Sequence, residues 1–588
     1  MNSKQTRRRT VASMVLVIAL VAVFVVKLVD IQIVQASAYN AEALGKRIIP
    51  SVIFSERGTI VDANGIVLAG SVMRYNITIS PKNTKDFLRV TDRADVTISP
   101  QQAAVEIGAI TGQKPEDILK IVADALAANP NSDFAYLARS VDVETFRALD
   151  ALGIPWLYSE AAPGRTYPNG SVAGNLIGYV GQDGVAQAGL ELTNNQCLSG
   201  VNGEETYERG ADGVRIPGST VTSVSAQNGS SLKLTIDSDL QWYATQVLAK
   251  QVDAVGAKWG TVVVQEVKTG KLLAVADYPT VDPNNVSGTA DANRGSLAFM
   301  APFEPGSTIK AMTAASLLDT GLADPTSQVV APYSIQFPNG AKVRDASQHG
   351  ALQLTLTGVL EQSSNVGITQ LGEALSSDRR YDYLSKFGFG QTTAVNFQAE
   401  STGILHPWQK WDNQTYYNTM FGQGLSTTAV QVASAYQAIA NHGVRLPVKL
   451  VDGCVAPNGT MTPTQEPAPV QVVSDAAATT TVHMLENFVT KGWISKYISI
   501  PGYRIAAKTG TAEQSAGDGT YSTSYIVSNA AILPADDPQY VVTVTIASPQ
   551  SNGSMASPPV LKAIMSQIIK KYRVQPSPDA SPDLPIRF

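Results

Sequence analysis

From Val11 to Val26 the chain is apolar at every position except Ser13. A helix needs about 20 such residues to cross a bilayer. The run reaches that length when Lys27 snorkels outward and Leu28 and Val29 stay in the hydrocarbon. Lys4, Arg7, Arg8 and Arg9 precede it, with no acid among them. That flank predicts a cytoplasmic stub over residues 1–10, a single transmembrane helix over 11–30 and an extracytoplasmic remainder. The rival reading is a cleaved leader ending near Ala36-Ser37-Ala38, but Lys27, Asp30 and Gln32 separate that site from the apolar core.

Beyond the span the pattern changes. Lys27 to Arg47 reads as a continuing helix. Residues 56–69 hold two short apolar segments about Asn64-Gly65, a hairpin signal. Met73–Ser80 alternates as a strand. Helical periodicity marks Gln101–Ile110, Lys114–Ala128 and Asp142–Leu152. Residues 164–218 are rich in Gly, Asn and Asp and predict loops and short strands. A polar stretch over Thr222–Ser231 marks a boundary. After it come a strand at Leu232–Asp237, a helix at Ser238–Val255 and paired strands at Thr261–Val267 and Lys271–Ala276. Helices follow at Ser307–Thr320, around Thr357–Leu375, at Ser377–Phe387 and at Thr427–His442. Late strands fall at Tyr503–Ala507, Ser524–Leu533 and Tyr540–Ala547. Strand, helices and strands again predict a sheet with helices on its faces. The expected organisation is multidomain α+β: an extended mixed α/β module over 31–225, a catalytic domain over 226–573 and a Pro-rich disordered tail over 574–588.

Composition narrows the classes. The 588 residues carry a net charge of -5, with no basic footprint, which excludes a nucleic-acid partner. The four histidines fall in no HExxH pattern, so neither a metal nor another cofactor is expected. Cys197 and Cys454 could pair in an oxidising compartment or remain two separate thiols.

Three short motifs carry chemistry. Ser307-Thr308-Ile309-Lys310 follows Pro305-Gly306, where a turn into a helix belongs. Residues three apart on a helix share a face, so Lys310 sits beside Ser307. Serine needs a neighbouring base to act as a nucleophile. A lysine serves as that base only when burial or a nearby cation lowers its pKa. Ser363-Ser364-Asn365 and Lys508-Thr509-Gly510-Thr511 are the second and third motifs. Two further copies are decoys. Ser230-Ser231-Leu232-Lys233 runs into a strand, where residues three apart point oppositely. Lys268-Thr269-Gly270 fits a plain turn between strands.

The ordered set Ser-x-x-Lys, Ser-x-Asn, Lys-Thr-Gly resembles that of penicillin-binding proteins and class A β-lactamases. Phe303–Lys310, Phe387-Gly388-Phe389-Gly390 and Gly422-Gln423-Gly424-Leu425-Ser426 extend the likeness. So do Arg57-Gly58-Thr59-Ile60, Gly164-Arg165-Thr166-Tyr167-Pro168 and Gly189-Leu190-Glu191, which are similar to the pedestal of class B penicillin-binding proteins. The resemblance covers roughly residues 20–570 and is greatest to the septal cell-division type. Asn293-Arg294-Gly295-Ser296 and the glycine-free Tyr525–Asn529 depart from it, at positions that bear on the acceptor side.

The resemblance implies a membrane-anchored peptidoglycan D,D-transpeptidase with an antiparallel sheet flanked by helices. Ser307 would attack the penultimate D-Ala of a stem peptide and Lys310 would take its proton. Ser363 and Asn365 would relay protons and hold the substrate amide. Lys508 would keep Lys310 neutral and attract the terminal carboxylate, which Thr509 and Thr511 would bind. Gly510 would let substrate approach the backbone, and the N–H groups of Ser307 and Thr511 would form the oxyanion hole. Partners would be peptidoglycan stem peptides, a membrane glycan polymerase and division or elongation proteins, with β-lactam antibiotics as covalent inhibitors. Alternatives are an elongation-type transpeptidase, a D,D-carboxypeptidase or β-lactamase, and a non-catalytic β-lactam-binding scaffold.

Overall fold

The computed structural model describes residues 3–90, 95–181, 184–208, 216–515, 521–550 and 553–588. Its first unit takes in Met1–Glu56 and Gly200–Asn228. There the apolar run forms one helix, Ser3–Val29, which continues through a π turn at Asp30–Val34 before a separate helix at Ala36–Arg47. The π turn interrupts the continuous helix expected to Arg47. Among the described residues this is the one helix long and apolar enough to cross a membrane, and its apolar window is exposed. Ile48–Ile53, Gly203–Glu208 and Val221–Val224 form a three-stranded antiparallel sheet.

The second unit holds Arg57–Ser199 and Gly229–Phe588. Its principal sheet has five antiparallel strands in the order Leu272–Tyr278, Trp259–Glu266, Tyr540–Ala547, Tyr521–Leu533 and Ala506–Ser515. Tyr540–Ala547 is buried throughout, which explains its largely apolar sequence, broken only by the buried Thr543 and Thr545. Val262, Val264, Val542 and Val544 face a core shared with Leu240, Leu248, Val560 and Ile564, from helices Ser238–Val255 and Pro558–Tyr572. Val263 and Val541 face the opposite core, with Met312, Val359, Tyr436 and Leu485.

A second sheet joins both halves of this unit. Ser231–Leu234 pairs in parallel with Ile60–Val61 and antiparallel with Val451–Val455. Ile60–Val61 and Val67–Ile79 make the expected hairpin, with Asp62 Oδ1 accepting the N–H groups of Asn64 and Ile66 at 2.8 Å each. The strand expected at Met73–Ser80 is the second half of Val67–Ile79. It keeps ten residues of register with Leu157–Thr166, from Gly70↔Thr166 to Ile79↔Leu157.

The three pedestal motif segments converge on one buried carboxylate. Glu191 receives Arg57 Nε and Arg165 Nε, each at 2.6 Å, and its side chain is 0% exposed. Cys197 and Cys454 form a disulfide with their Cα atoms 6.1 Å apart, which decides between the two readings of these cysteines.

The expectation of a disordered tail is corrected. Val574 is buried, Ser577 N–H donates to Gly502 O at 2.9 Å, and Leu354 bridges to Arg587. The prolines prevent a helix but suit extended backbone, whose carbonyls find partners on neighbouring helices.

Candidate active site

The nucleophile turn is built before its helix begins. Gly306–Ile309 is a 3-10 turn, and the α-helix runs from Lys310 to Asp319. Gly306 adopts φ +57°, and a Cβ there would stand 2.9 Å from Thr511 O, so only glycine fits. Its N–H donates to Gly422 O at 2.9 Å, and Tyr436 OH donates to Thr308 O at 2.9 Å. These contacts clamp the turn between the Gly422 loop and helix Ala429–Ala440, which opens on a Thr428–Gln431 capping box.

Lys310 Nζ lies 3.0 Å from Ser307 Oγ, 2.5 Å from Ser363 O and 3.3 Å from Ser363 Oγ. The tighter turn preserves the proximity that an α-helix was expected to supply. Ser363 owes its reach to a break. The segment expected as one helix around Thr357–Leu375 is two, Leu356–Gln362 and Asn365–Gly372. Ser363 caps the first in a left-handed conformation at φ +57°. Ser364 caps the second, its Oγ accepting from Gly367 N–H at 2.9 Å.

Lys508 is also inside a strand rather than beyond one. It lies on Ala506–Ser515, opposite Ala530, at the edge of the five-stranded sheet. Its Nζ reaches Ser363 Oγ at 2.8 Å and stands 4.5 Å above the Phe488 ring. Both lysines are 0% exposed. Burial lowers the Lys310 pKa to about 7, against an opposing pull from Asp345. Burial also lowers Lys508 far below the ordinary lysine value, and the Lys310 charge lowers it further. Two amines on one hydroxyl in a dry site cannot both hold a proton at little cost. Burial, rather than the field of Lys508, is thus the first cause of the lowered Lys310 pKa.

Thr509 is mostly buried, Gly510 is buried and Thr511 is open to solvent. Asn365 Nδ2 donates to Arg344 O at 2.9 Å, so its amide anchors the neighbouring hairpin Ser334–Arg344. Neither decoy approaches this cluster. Ser231–Leu234 is a strand, and Lys268 is an exposed side chain 3.4 Å from Asp537.

Asp345 organises the second motif and carries no local signature in the sequence. Its Oδ1 accepts the N–H groups of Asn365 at 2.5 Å and Val366 at 3.0 Å. Its Oδ2 accepts from Ser364 Oγ at 2.7 Å and faces His349 Nε2 at 3.0 Å. The carboxylate therefore occupies the positive end of the Asn365–Gly372 helix and fixes the turn carrying Ser363. Phe488, beneath Lys508, went equally unmarked. It belongs to Asp475–Thr490, a helix the sequence pattern did not reveal.

A serine touching a buried lysine whose pKa burial lowers to about 7, with a second lysine across a shared hydroxyl, defines a serine acyl-transferase site. The penicillin binding protein transpeptidase domain matches residues 260–566, and the penicillin-binding protein dimerisation domain matches residues 52–234. Penicillin-binding protein PbpB of Mycolicibacterium smegmatis is 35% identical, over 97% of this chain and 91% of that protein. Peptidoglycan D,D-transpeptidase FtsI of Escherichia coli is 32% identical, over 89% of this chain and 85% of that one. Among solved structures, a peptidoglycan synthetase from Bifidobacterium adolescentis superposes with TM-score 0.72 at 31% identity, covering 92% of this chain and 100% of that one. Penicillin binding protein 3 of Mycobacterium tuberculosis, complexed with aztreonam, gives 0.69 at 29% identity, with the same coverages. This chain belongs to the penicillin-binding protein transpeptidase family, with the two-domain arrangement of its septal class B members.

Proposed function

We propose that the protein is a peptidoglycan D,D-transpeptidase of septal wall synthesis. The observation that carries this is Lys310 Nζ 3.0 Å from Ser307 Oγ in a fully buried position. Ser307 Oγ attacks the carbonyl carbon of the penultimate D-Ala while neutral Lys310 takes its proton. The tetrahedral oxyanion lies against the N–H groups of Ser307 and Thr511, whose backbones meet at Gly306. Ser363 Oγ, bonded to both lysines, passes the proton to the leaving D-Ala amine, and the C–N bond breaks. An amine of a neighbouring stem peptide then attacks the ester, forms the cross-link and returns the proton to Ser307. Lys508, Thr509 and Thr511 hold the terminal carboxylate, Gly510 gives it access, and Asn365 holds the substrate amide once turned from Arg344. β-Lactams enter by the same attack and stay as the acyl-enzyme.

The Ser3–Val29 helix anchors the chain, with the basic stub cytoplasmic and the catalytic unit outside. Partners are a membrane glycan polymerase and division proteins. The test is covalent labelling by a fluorescent penicillin. Ser307→Ala should abolish it in a folded protein, while Ser230→Ala and Lys268→Ala should label like the parent. Retained labelling in Ser307→Ala would refute the assignment. Rapid release of hydrolysed drug by the parent protein would instead favour a hydrolase.

A further inference from the structure

Behind the site, the end of the chain occupies a built groove. Asn487 is 0% exposed. Its Nδ2 donates to Pro582 O at 3.1 Å and its Oδ1 accepts from Leu584 N–H at 3.2 Å. A buried amide on helix Asp475–Thr490 is thus bonded to extended backbone at both ends. Lys491, one turn along, donates to Leu584 O at 2.9 Å and pairs with Asp583. Next the chain crosses helix Leu356–Gln362. Thr355 Oγ1 donates to Pro585 O at 2.6 Å, and Thr355 N–H to Ile586 O at 3.3 Å. Gly358 lets that backbone in, since a Cβ there would lie 1.8 Å from Ile586 O.

The two helices so held are those that shape the catalytic cluster. Asn487 precedes Phe488, whose ring underlies Lys508. Gly358 shares a face with Glu361, one turn on, and Ser363 ends the same helix. We propose that residues 582–587 are a strap that positions Ser363 and Lys508 for acyl transfer, with Arg587 as its charged positioning residue. The inference rests on the acyl-transfer reading above, which penicillin labelling of the unaltered protein tests separately.

Glu361 is the intermediary. It is 5% exposed, and burial raises its pKa. Gln362 on its own helix, Arg587 of the strap, Lys491 of the crossing helix and Lys508 of the sheet all favour its ionised form. In turn its charge supports the protonated state of Lys508. Arg587 is exposed and is one of the charges that favour ionised Glu361, so losing its guanidinium weakens the support that Glu361 gives to protonated Lys508.

The experiment measures second-order acylation by a fluorescent penicillin against pH in the full-length, detergent-solubilised protein. Arg587→Gln should lower the rate by about three- to tenfold. It should also move the acid limb of the profile to higher pH. Arg587→Lys should restore both. A chain ending at Ser581 should show the same displacement with a larger loss of rate. Parent-like profiles in Arg587→Gln and in the shortened chain would overturn the proposal. So would a shortened chain that loses only thermal stability while Arg587→Gln stays unchanged, since that would make the segment merely structural. Failure of Arg587→Lys to restore the profile would remove the role assigned to its charge.

Discussion

Lys310 is a base only while uncharged, and its burial brings that condition within reach at neutral pH. With its pKa lowered to about 7, protonation below that value removes the acceptor for the Ser307 proton. Acylation by penicillin should therefore fall as pH drops through about 7, approaching tenfold per unit well below it. Stopped-flow acylation across the neutral range measures this, and a flat profile would contradict a lysine base. Ser307, Lys310, Ser363 and Lys508 were legible in the sequence because each sits in a short motif with fixed spacing. Asp345 and Phe488 were not, because their roles arise from contacts made only after folding. Asp345 lies twenty residues before Asn365 and reaches its N–H through the hairpin's return. Nothing local distinguishes it from a solvated acid.

At the scale of elements, the pedestal segments are held by charge rather than by apolar contact alone. Glu191 is buried between Arg57 and Arg165, which are 14% and 5% exposed. Glu191→Ala would strand two guanidinium groups, and removing one partner of a buried ion pair costs about 3–5 kcal/mol. Equilibrium denaturation should show a loss of that order. A change within error would mean that water replaces the carboxylate. Sequence periodicity located many of these elements. The Ser238–Val255 helix matches its expected bounds, with Asp237 accepting the N–H groups of Asp239 and Leu240. The Asn64-Gly65 turn also stands where expected. The Asp475–Thr490 helix escaped because Thr479-Thr480-Thr481 is a poor helix-forming run. Packing of Val482, Leu485 and Phe488 holds it in place. The Ser363 break escaped because Ser and Asn at a helix junction look like ordinary polar positions until the left-handed residue is seen.

Across the whole molecule, the sheet through Ile60–Val61, Ser231–Leu234 and Val451–Val455 binds sequence-distant segments. Its order could not be read locally, since strand partners so far apart leave no periodic trace. The Cys197–Cys454 bond stands beside this sheet and links the segment matched by the dimerisation domain to that matched by the transpeptidase domain. Cys454→Ser should cost about 2–5 kcal/mol of stability. Denaturant midpoints of the oxidised parent and the variant measure it. Equal midpoints would show that the sheet alone sustains the join.

The same bond makes part of the chain a covalent ring. Ser307 and Ser363 lie within the ring, whereas Lys508 lies on the linear arm that leaves it. A protease that cuts once in a surface loop between the cysteines opens the ring without releasing a fragment. An acyl label on Ser307 then stays attached to the full mass of the denatured protein until a reductant is added, whereas after a cut between Cys454 and Lys508 denaturation alone separates the third motif from the label.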